Sequence, residues 1–523
     1  MITRSRKAQS PDVQQQAPAE GWNRREFIQG VATATAMGGM MGPGVALAGD
    51  GHHRNKLRLP NTLQAPPEIH GDPTHEHYWA KVRRAFTLDQ DYIHMNTGTT
   101  GSLPAFALAN LAVYNLYKAQ DPKDWEANLN ADYPDLFPLG ASVFGPSGLA
   151  ARQQQVADAY NAASVSEVVL SYNTTDGCNL IFAGTPWQPG DRIVTTSFEH
   201  PALSGPIAWA QATRGVEVVT IDMGLVTPFT ADITVQDVLD LFEPALAAPL
   251  PAGAKQYLAF SEIFYKNGLR LPVEDLCALA RAYGAYSIVD TAHGFGMLPI
   301  DFQAYGADFM SGAGHKWLCG GPGTGNLYIR STGTNLPPFD LGNFFLYAYV
   351  SPADMSVRAY DPSAWVQLRG ENNRPALYAM TDSLALFQQV GIDAIYQRGV
   401  ELGNYLKAKI EAQWPGALWV EAREPYSPFA TALTAFNPFV GRDDSSAYEA
   451  LHTAVSDVVD ALAADDPKTY IRYTTWESSL AAAGDDRVGF RVSTHGVYNN
   501  YDEVDDMFDR LVYHVQQTGV PTI

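Results

Sequence analysis

Five short apolar runs separated by helical spacing constrain this chain more than any other feature. Glu167–Ser171, Asp191–Thr195, Val216–Thr220, Gln256–Phe260 and Ser287–Asp290 each read as a strand. Between the last two, Val273–Tyr283 places Leu276, Leu279 and Ala280 on one helical face, with Gly284 as its stop. Ser287–Asp290 is apolar on both faces, the pattern of a strand covered on each side by helices. Such alternation predicts an α/β domain with a mostly parallel sheet.

The chain has 523 residues, enough for two or three domains. A helical region over 375–412 should leave the α/β domain, and the remainder, ending in an amphipathic helix from Glu503 to Gln516, reads as a smaller C-terminal α+β domain. The expected division is 1–48 as a signal peptide, 49–85 as a linker or N-terminal arm, 86–385 as the large domain and 386–523 as the small one. With 46% hydrophobic and 17% charged residues the body is ordinary for a globular protein. A formal charge of −21 argues against nucleic acid or an anionic membrane as partner.

At the N-terminus, Asn23-Arg24-Arg25-Glu26-Phe27-Ile28 precedes a mildly apolar stretch ending in Ala46-Leu47-Ala48. A charged region, an apolar region and a small-x-small site in that order read as an export signal, and the paired arginines resemble a twin-arginine signal. That predicts a periplasmic or exported protein that meets the twin-arginine translocon. Gly38, Gly39, Gly42 and Pro43 argue against a retained membrane anchor. Cys178, Cys277 and Cys319 suit neither a disulfide framework nor a zinc site. His52, His53, His70, His75 and His77 read as a solvated arm, so no metal is expected.

Ligands of open α/β sheets bind beyond the carboxyl ends of the strands, and polar clusters fall there. Thr174 and Thr175 follow a strand and open a helix, where free N–H groups favour a phosphate; a plain helix cap is the bland alternative. Glu199-His200 follows another strand. Asp290 ends a third, ahead of Ala292-His293-Gly294, and a carboxylate ending an apolar strand must find a partner. His315-Lys316 precedes the turn Gly320-Gly-Pro-Gly-Thr-Gly325. That turn follows a lysine rather than a strand, against a nucleotide-binding loop. Together the residues match the needs of pyridoxal 5'-phosphate (PLP): an amine for the aldehyde, a carboxylate for the pyridine nitrogen, a flat group and a phosphate anchor.

The segments Val289-Asp-Thr-Ala-His293, Gly314-His-Lys316 and Gly325-Asn-Leu-Tyr328, with Asn96-Thr-Gly-Thr-Thr-Gly101-Ser-Leu-Pro104, resemble the class V aminotransferase family, PLP enzymes of fold type I. The resemblance runs from about Tyr92 to Leu511. It implies that Lys316 is the Schiff-base lysine, that Asp290 pairs with the pyridine nitrogen and that His200 stacks on the ring. It further implies that His293 reaches the phenolic oxygen and that Thr175 and His315 bind phosphate. Phe490-Arg491-Val492-Ser493, with Tyr498-Asn499, looks like the family's substrate-carboxylate segment, so Arg491, with Asn96, is expected at the substrate. A homodimer is expected by the same resemblance.

Two departures stand out. The desulfurase branch has a cysteine upstream of the arginine segment, where this chain reads Ile471-Arg-Tyr-Thr-Thr-Trp476; Cys319 lies elsewhere and should be packed. Gly370-Glu371 replaces a Gly-Thr that contacts phosphate across the dimer, and a glutamate there would repel it.

The freed Lys316 amine would serve as base at Cα. Epimerisation, transamination, elimination and decarboxylation all stay open beyond that step. The resemblance is nearest to the isopenicillin-N-epimerase-like branch, and export suggests side-chain tailoring of siderophore type. The expected substrate is an amino-acid moiety of a peptide-like natural product, with free amino acids as the alternative. A non-catalytic exported binding protein is a further alternative, disfavoured because it would not need Lys316 and Asp290 together. Stretches 336–365 and 414–466 read as insertions shaping access.

Overall fold

The computed structural model describes residues 62–89, 91–142, 145–330, 366–367, 370–477 and 486–523. The export signal, the first part of the arm with His52 and His53, and the stretch 336–365 lie outside the described residues.

Twelve strands are described in chain order: β1 (Tyr92–His94), β2 (Val168–Ser171), β3 (Arg192–Thr196), β4 (Glu217–Ile221), β5 (Gln256–Ser261), β6 (Ala285–Asp290), β7 (Phe309–Ala313), β8 (Gly325–Ile329), β9 (Leu433–Phe436), β10 (Lys468–Tyr470), β11 (Arg472–Glu477) and β12 (Asp486–Ser493). Seven form one sheet in the order β2-β8-β7-β6-β5-β3-β4. β8 runs antiparallel to both neighbours, and the remaining pairs are parallel. The fold is thus mixed α/β around a mostly parallel sheet, as the alternation of strands and helices requires.

Burial explains why these strands read as continuous apolar runs. Val168, Val194, Leu258, Val289 and Met310 enter one core, while Val169, Ile193, Tyr257, Ile288 and Phe309 enter another on the opposite face. Successive side chains alternate across a strand, so a sheet covered on both faces is apolar at most positions along its strands. β4, the outermost strand, is only partly buried and keeps Glu217 exposed.

The order of the strands also positions the site. From β3 the chain steps outward to β4 and then returns to the other side of β3 as β5. The connections therefore diverge at the β3/β5 boundary, leaving a crevice beyond the strand ends. Glu199 and His200 follow β3, Tyr265 follows β5, and Asp290 ends β6.

A three-stranded antiparallel sheet, β11-β12-β9, and a two-stranded parallel pair, β1-β10, complete the described strands. Three features go beyond the reading of the sequence. The helical region over 375–412 is two helices, Arg374–Val390 and Ile392–Gln413, broken at Gly391 with φ +97°, a conformation that favours glycine. The stretch 414–466 is not merely an insertion, because it supplies β9 and the helix Tyr448–Ala464. Lastly, Phe309–Ala313 and Gly325–Ile329 are strands, and Lys316 lies in the connection between them.

Candidate active site

A cavity of about 350 Å³ opens beyond the strand ends, and Thr174, Thr175, His200, His293, His315, Lys316 and Arg491 all line it. Each arrives by local folding. The helix Thr174–Gly184 starts directly after β2, capped by Asn173, whose side chain accepts from the Asp176 amide at 2.8 Å. His200 caps the helix Pro201–Arg214: its Nδ1 accepts from the Ala202 amide at 3.1 Å, so the ring proton is placed on Nε2. Thr174 is buried and Thr175 is exposed.

Asp290 is 2% exposed at the end of β6. Its Oδ1 accepts from the Ala292 amide at 2.9 Å, whereas Oδ2 is buried without a hydrogen-bond partner. Burial raises its pKa to about 6, opposed by that amide and by the Lys316 charge. Burial also brings the Lys316 amine down to about 8; Asp290 acts in the opposite direction, and Arg491 and Arg472 add to the depression. An amine so placed is available as a neutral nucleophile or base near neutral pH.

His200 is held near 4, first by burial and then by Lys316 and the arginines, and is neutral at pH 7. His293 is buried, and its pKa lies well below the usual histidine value for the same reasons. Its Nδ1 accepts from Trp317 Nε1 at 3.0 Å, which leaves Nε2 carrying the proton, buried and without a partner. His315 is likewise lowered by burial and by Lys316.

Sequence reasoning missed several residues here. Gly98, Thr99, Tyr265 and Arg472 also line the cavity. Arg491, 2% exposed, donates to the Tyr265 carbonyl at 3.1 Å, to Asn96 Oδ1 at 3.2 Å and to Thr99 Oγ1 at 2.9 Å. Asn96 is thus behind the arginine and does not line the cavity. Glu199, below His200, accepts from Thr196 and Ser261 hydroxyls, and burial lifts it to about 7. The acidic signal of Glu199-His200 is visible in the sequence; its hydroxyl partners, two residues from β3 and β5, are not.

Glu371 sits away from the cavity, in an exposed ion pair with Lys118 at 2.7 Å. Cys319 is buried, 2.7 Å from the Tyr498 hydroxyl, and its thiol is raised to about 12 by burial. Cys178 and Cys277 are also buried, and none of the three lines the cavity.

Buried polar atoms are rarely left without partners, and those that are call for an explanation. Here Thr174 Oγ1, His293 Nε2 and His315 Nδ1 are orphaned on residues lining one cavity that also holds an amine, and Asp290 Oδ2, whose carboxylate is coupled electrostatically to that amine, is orphaned too. An anion at the helix start, a protonated ring nitrogen at Asp290 and an aldehyde at Lys316 would meet this set. The residues fit PLP, and the fold and site together define a protein of the PLP-dependent class.

Comparison with known proteins agrees. Residues 147–438 match the model of the family described as Aminotransferase class-V. The chain belongs to the class V aminotransferase family of pyridoxal-phosphate-dependent enzymes. It is 27% identical to an isopenicillin N epimerase of Streptomyces clavuligerus over 48% of this chain and 56% of that protein. It is 30% identical to a cysteine desulfurase of Klebsiella pneumoniae over 50% of this chain and 61% of that protein. The matched regions thus span a little over half the length of these relatives. Among solved structures it resembles a lysine-to-alanine mutant of C-DES with glycine covalently linked to its PLP cofactor. That likeness has a TM-score of 0.59 and 19% identity, covering 82% of this chain and 98% of the other.

Proposed function

We propose that this protein is an exported PLP-dependent enzyme that acts at Cα of an amino-acid moiety in a peptide-like natural product, by epimerisation or side-chain tailoring. The observation that carries the reading is the buried Lys316 amine, depressed to about 8, in one cavity with the orphaned polar atoms of Thr174, His293 and His315 and coupled electrostatically to Asp290. When bound, PLP supplies an electron sink for the bond broken at Cα.

The chain's own groups supply the rest. Asp290 Oδ2 offers a carboxylate to hold a proton on the ring nitrogen. The start of the helix Thr174–Gly184 and His315 offer donors to a phosphate, and His293 Nε2–H donates to an oxygen anion. Arg491, fixed by Asn96, Thr99 and the Tyr265 carbonyl, presents its guanidinium to an α-carboxylate, which would take the place of the Thr99 hydroxyl on Nη2 to be gripped by a bidentate pair. With PLP bound, the Lys316 amine would be the group placed to take the Cα proton.

Desulfuration through a cysteine nucleophile is not supported, since every cysteine of the chain is buried and absent from the cavity. Arg24-Arg25 and Ala46-Leu47-Ala48 support export by the twin-arginine route and a periplasmic location. Kinship to the epimerase supports the epimerase-like branch, and membership of the family supports a homodimer.

Incubation of the holoenzyme with amino acids and peptides in D2O, followed by mass spectrometry, tests the reading. Deuterium at Cα without loss of a group indicates epimerisation, a keto product indicates transamination, and evolved CO2 indicates decarboxylation. A purified protein that stays colourless with added PLP would overturn the assignment altogether.

A further inference from the structure

Arg472 and Arg491 are direct partners across the antiparallel pairing of β11 with β12. Directly opposed residues project from the same face, with Cβ atoms about 5 Å apart. Both side chains line the active-site cavity, and both converge on one oxygen. Arg491 Nη2 donates to Thr99 Oγ1 at 2.9 Å, and Arg472 Nη1 donates to the same atom at 3.4 Å.

Like charges directly opposite one another destabilise a strand pair. This chain has 56 acidic residues against 35 lysines and arginines, yet neither arginine forms an ion pair with a carboxylate among the described residues. Nε of Arg491 is also buried without a partner. The repulsion is felt chemically: after burial, Arg472 is the largest influence lowering the Arg491 pKa to about 9. Arg491 is deep, whereas Arg472 is exposed at the mouth. A single α-carboxylate held by Arg491 therefore leaves a second cation facing the bound substrate.

We propose that Arg472 is a specificity-determining residue which, with Arg491, forms a two-cation subsite for an α-amino acid whose side chain ends in a carboxylate. The proposal rests on the PLP reading and names the substrate class of that same site. The substrate α-carboxylate takes the inner guanidinium, and its side-chain carboxylate takes the outer one. An anion between the two also removes the repulsion across the β11–β12 pair.

The test is a spectral titration of the PLP-loaded protein with aspartate and glutamate, in both enantiomers, against their neutral counterparts asparagine and glutamine. One charge-assisted contact predicts that the better acidic amino acid binds about tenfold or more tightly than its amide. Arg472→Gln should bring that ratio close to one by weakening the acid, and Arg472→Lys should restore part of it. Equal affinities for acid and amide in the wild type overturn the proposal. So does an Arg472→Gln variant that weakens both to the same degree, the mark of a residue that only positions Thr99 and Arg491. Protein that takes up no PLP before any amino acid is added instead overturns the underlying enzyme reading, so the two failures are told apart.

Discussion

Trp317 Nε1 donates a 3.0 Å hydrogen bond to His293 Nδ1, so the residue next to the reactive lysine fixes the tautomer of the histidine facing it. Trp317 is itself buried, 1% exposed, and its backbone carbonyl accepts from His495 at 2.7 Å. The indole therefore has little freedom to move away. Trp317→Phe removes the donor and leaves Nδ1 as a buried, unsatisfied acceptor, free to exchange its role with Nε2. Losing one such bond costs about 1 kcal/mol, so the dissociation constant for PLP should rise about fivefold. Equilibrium dialysis of apoprotein with PLP checks this; unchanged affinity would show that the tautomer is set elsewhere.

The Lys316 amine should titrate near 8 in the apoprotein rather than at its ordinary value of 10.5. Only the neutral amine attacks an aldehyde. The rate of PLP capture should accordingly rise with pH and level off above about 8. Asp290 raises the Lys316 pKa, so Asp290→Asn should move the inflection lower. Stopped-flow absorbance across the pH range reads both effects. An inflection that stays in place in Asp290→Asn would mean the two charges do not interact.

Glu199 makes stability depend on pH in a defined direction. Its folded-state pKa is raised from 4.5 to about 7, so the folded protein holds its proton more tightly than the unfolded chain. Stability is then fully present below about 4.5, falls as pH rises through the window to about 7, and levels off above it. Glu199→Gln removes the titrating group, keeps one acceptor oxygen for one of the Thr196 and Ser261 hydroxyls and turns an NH2 donor on the other, which can rotate to accept. The variant should gain about 3 kcal/mol over wild-type apoprotein at alkaline pH, a difference that should vanish in acid. Urea unfolding at two pH values measures it; a difference independent of pH would place the effect in packing instead.

How much of this can be read from the chain depends on the range of the interaction. β5 and β6 are legible because Gln256–Phe260 and Ser287–Asp290 are buried on both faces and carry no polar interruption. β7 and β8 are not recognisable as strands. Ser311-Gly-Ala-Gly and Gly325-Asn lack the branched residues that mark a strand, and their pairing with each other brackets the Lys316 connection. Lys316, Asp290, His200 and Thr174 declare themselves through short motifs at strand ends. Arg472 does not, because its significance depends on the register that sets it opposite Arg491, and register between strands is fixed by tertiary contacts rather than by local spacing. Gly391 offers a local signal, a glycine within a helical run, that is outweighed by the strong periodicity on either side.

Gly101 is where the N-terminal segment meets the lysine connection. Its amide donates to the His315 carbonyl at 2.8 Å, and a Cβ placed on it would lie 2.3 Å from the Lys316 carbonyl oxygen and 2.9 Å from Cys319 Sγ. The first of these atoms is backbone and cannot rotate away, so the connection carrying Lys316 must shift to admit any side chain. Gly101→Ala should therefore cost about 1–3 kcal/mol of stability by overpacking and slow PLP capture as the amine moves relative to Asp290. Gly145 provides the contrast in space, since a Cβ there meets nothing within 4 Å, although its φ of +103° strains any side chain. Gly145→Ala should thus lower stability through the backbone alone and leave the rate of PLP capture unchanged. Thermal unfolding together with capture kinetics separates the two variants. A Gly101→Ala protein that captures PLP at the wild-type rate would show that the lysine is held by β7 and β8 without help from the Asn96–Gly101 segment.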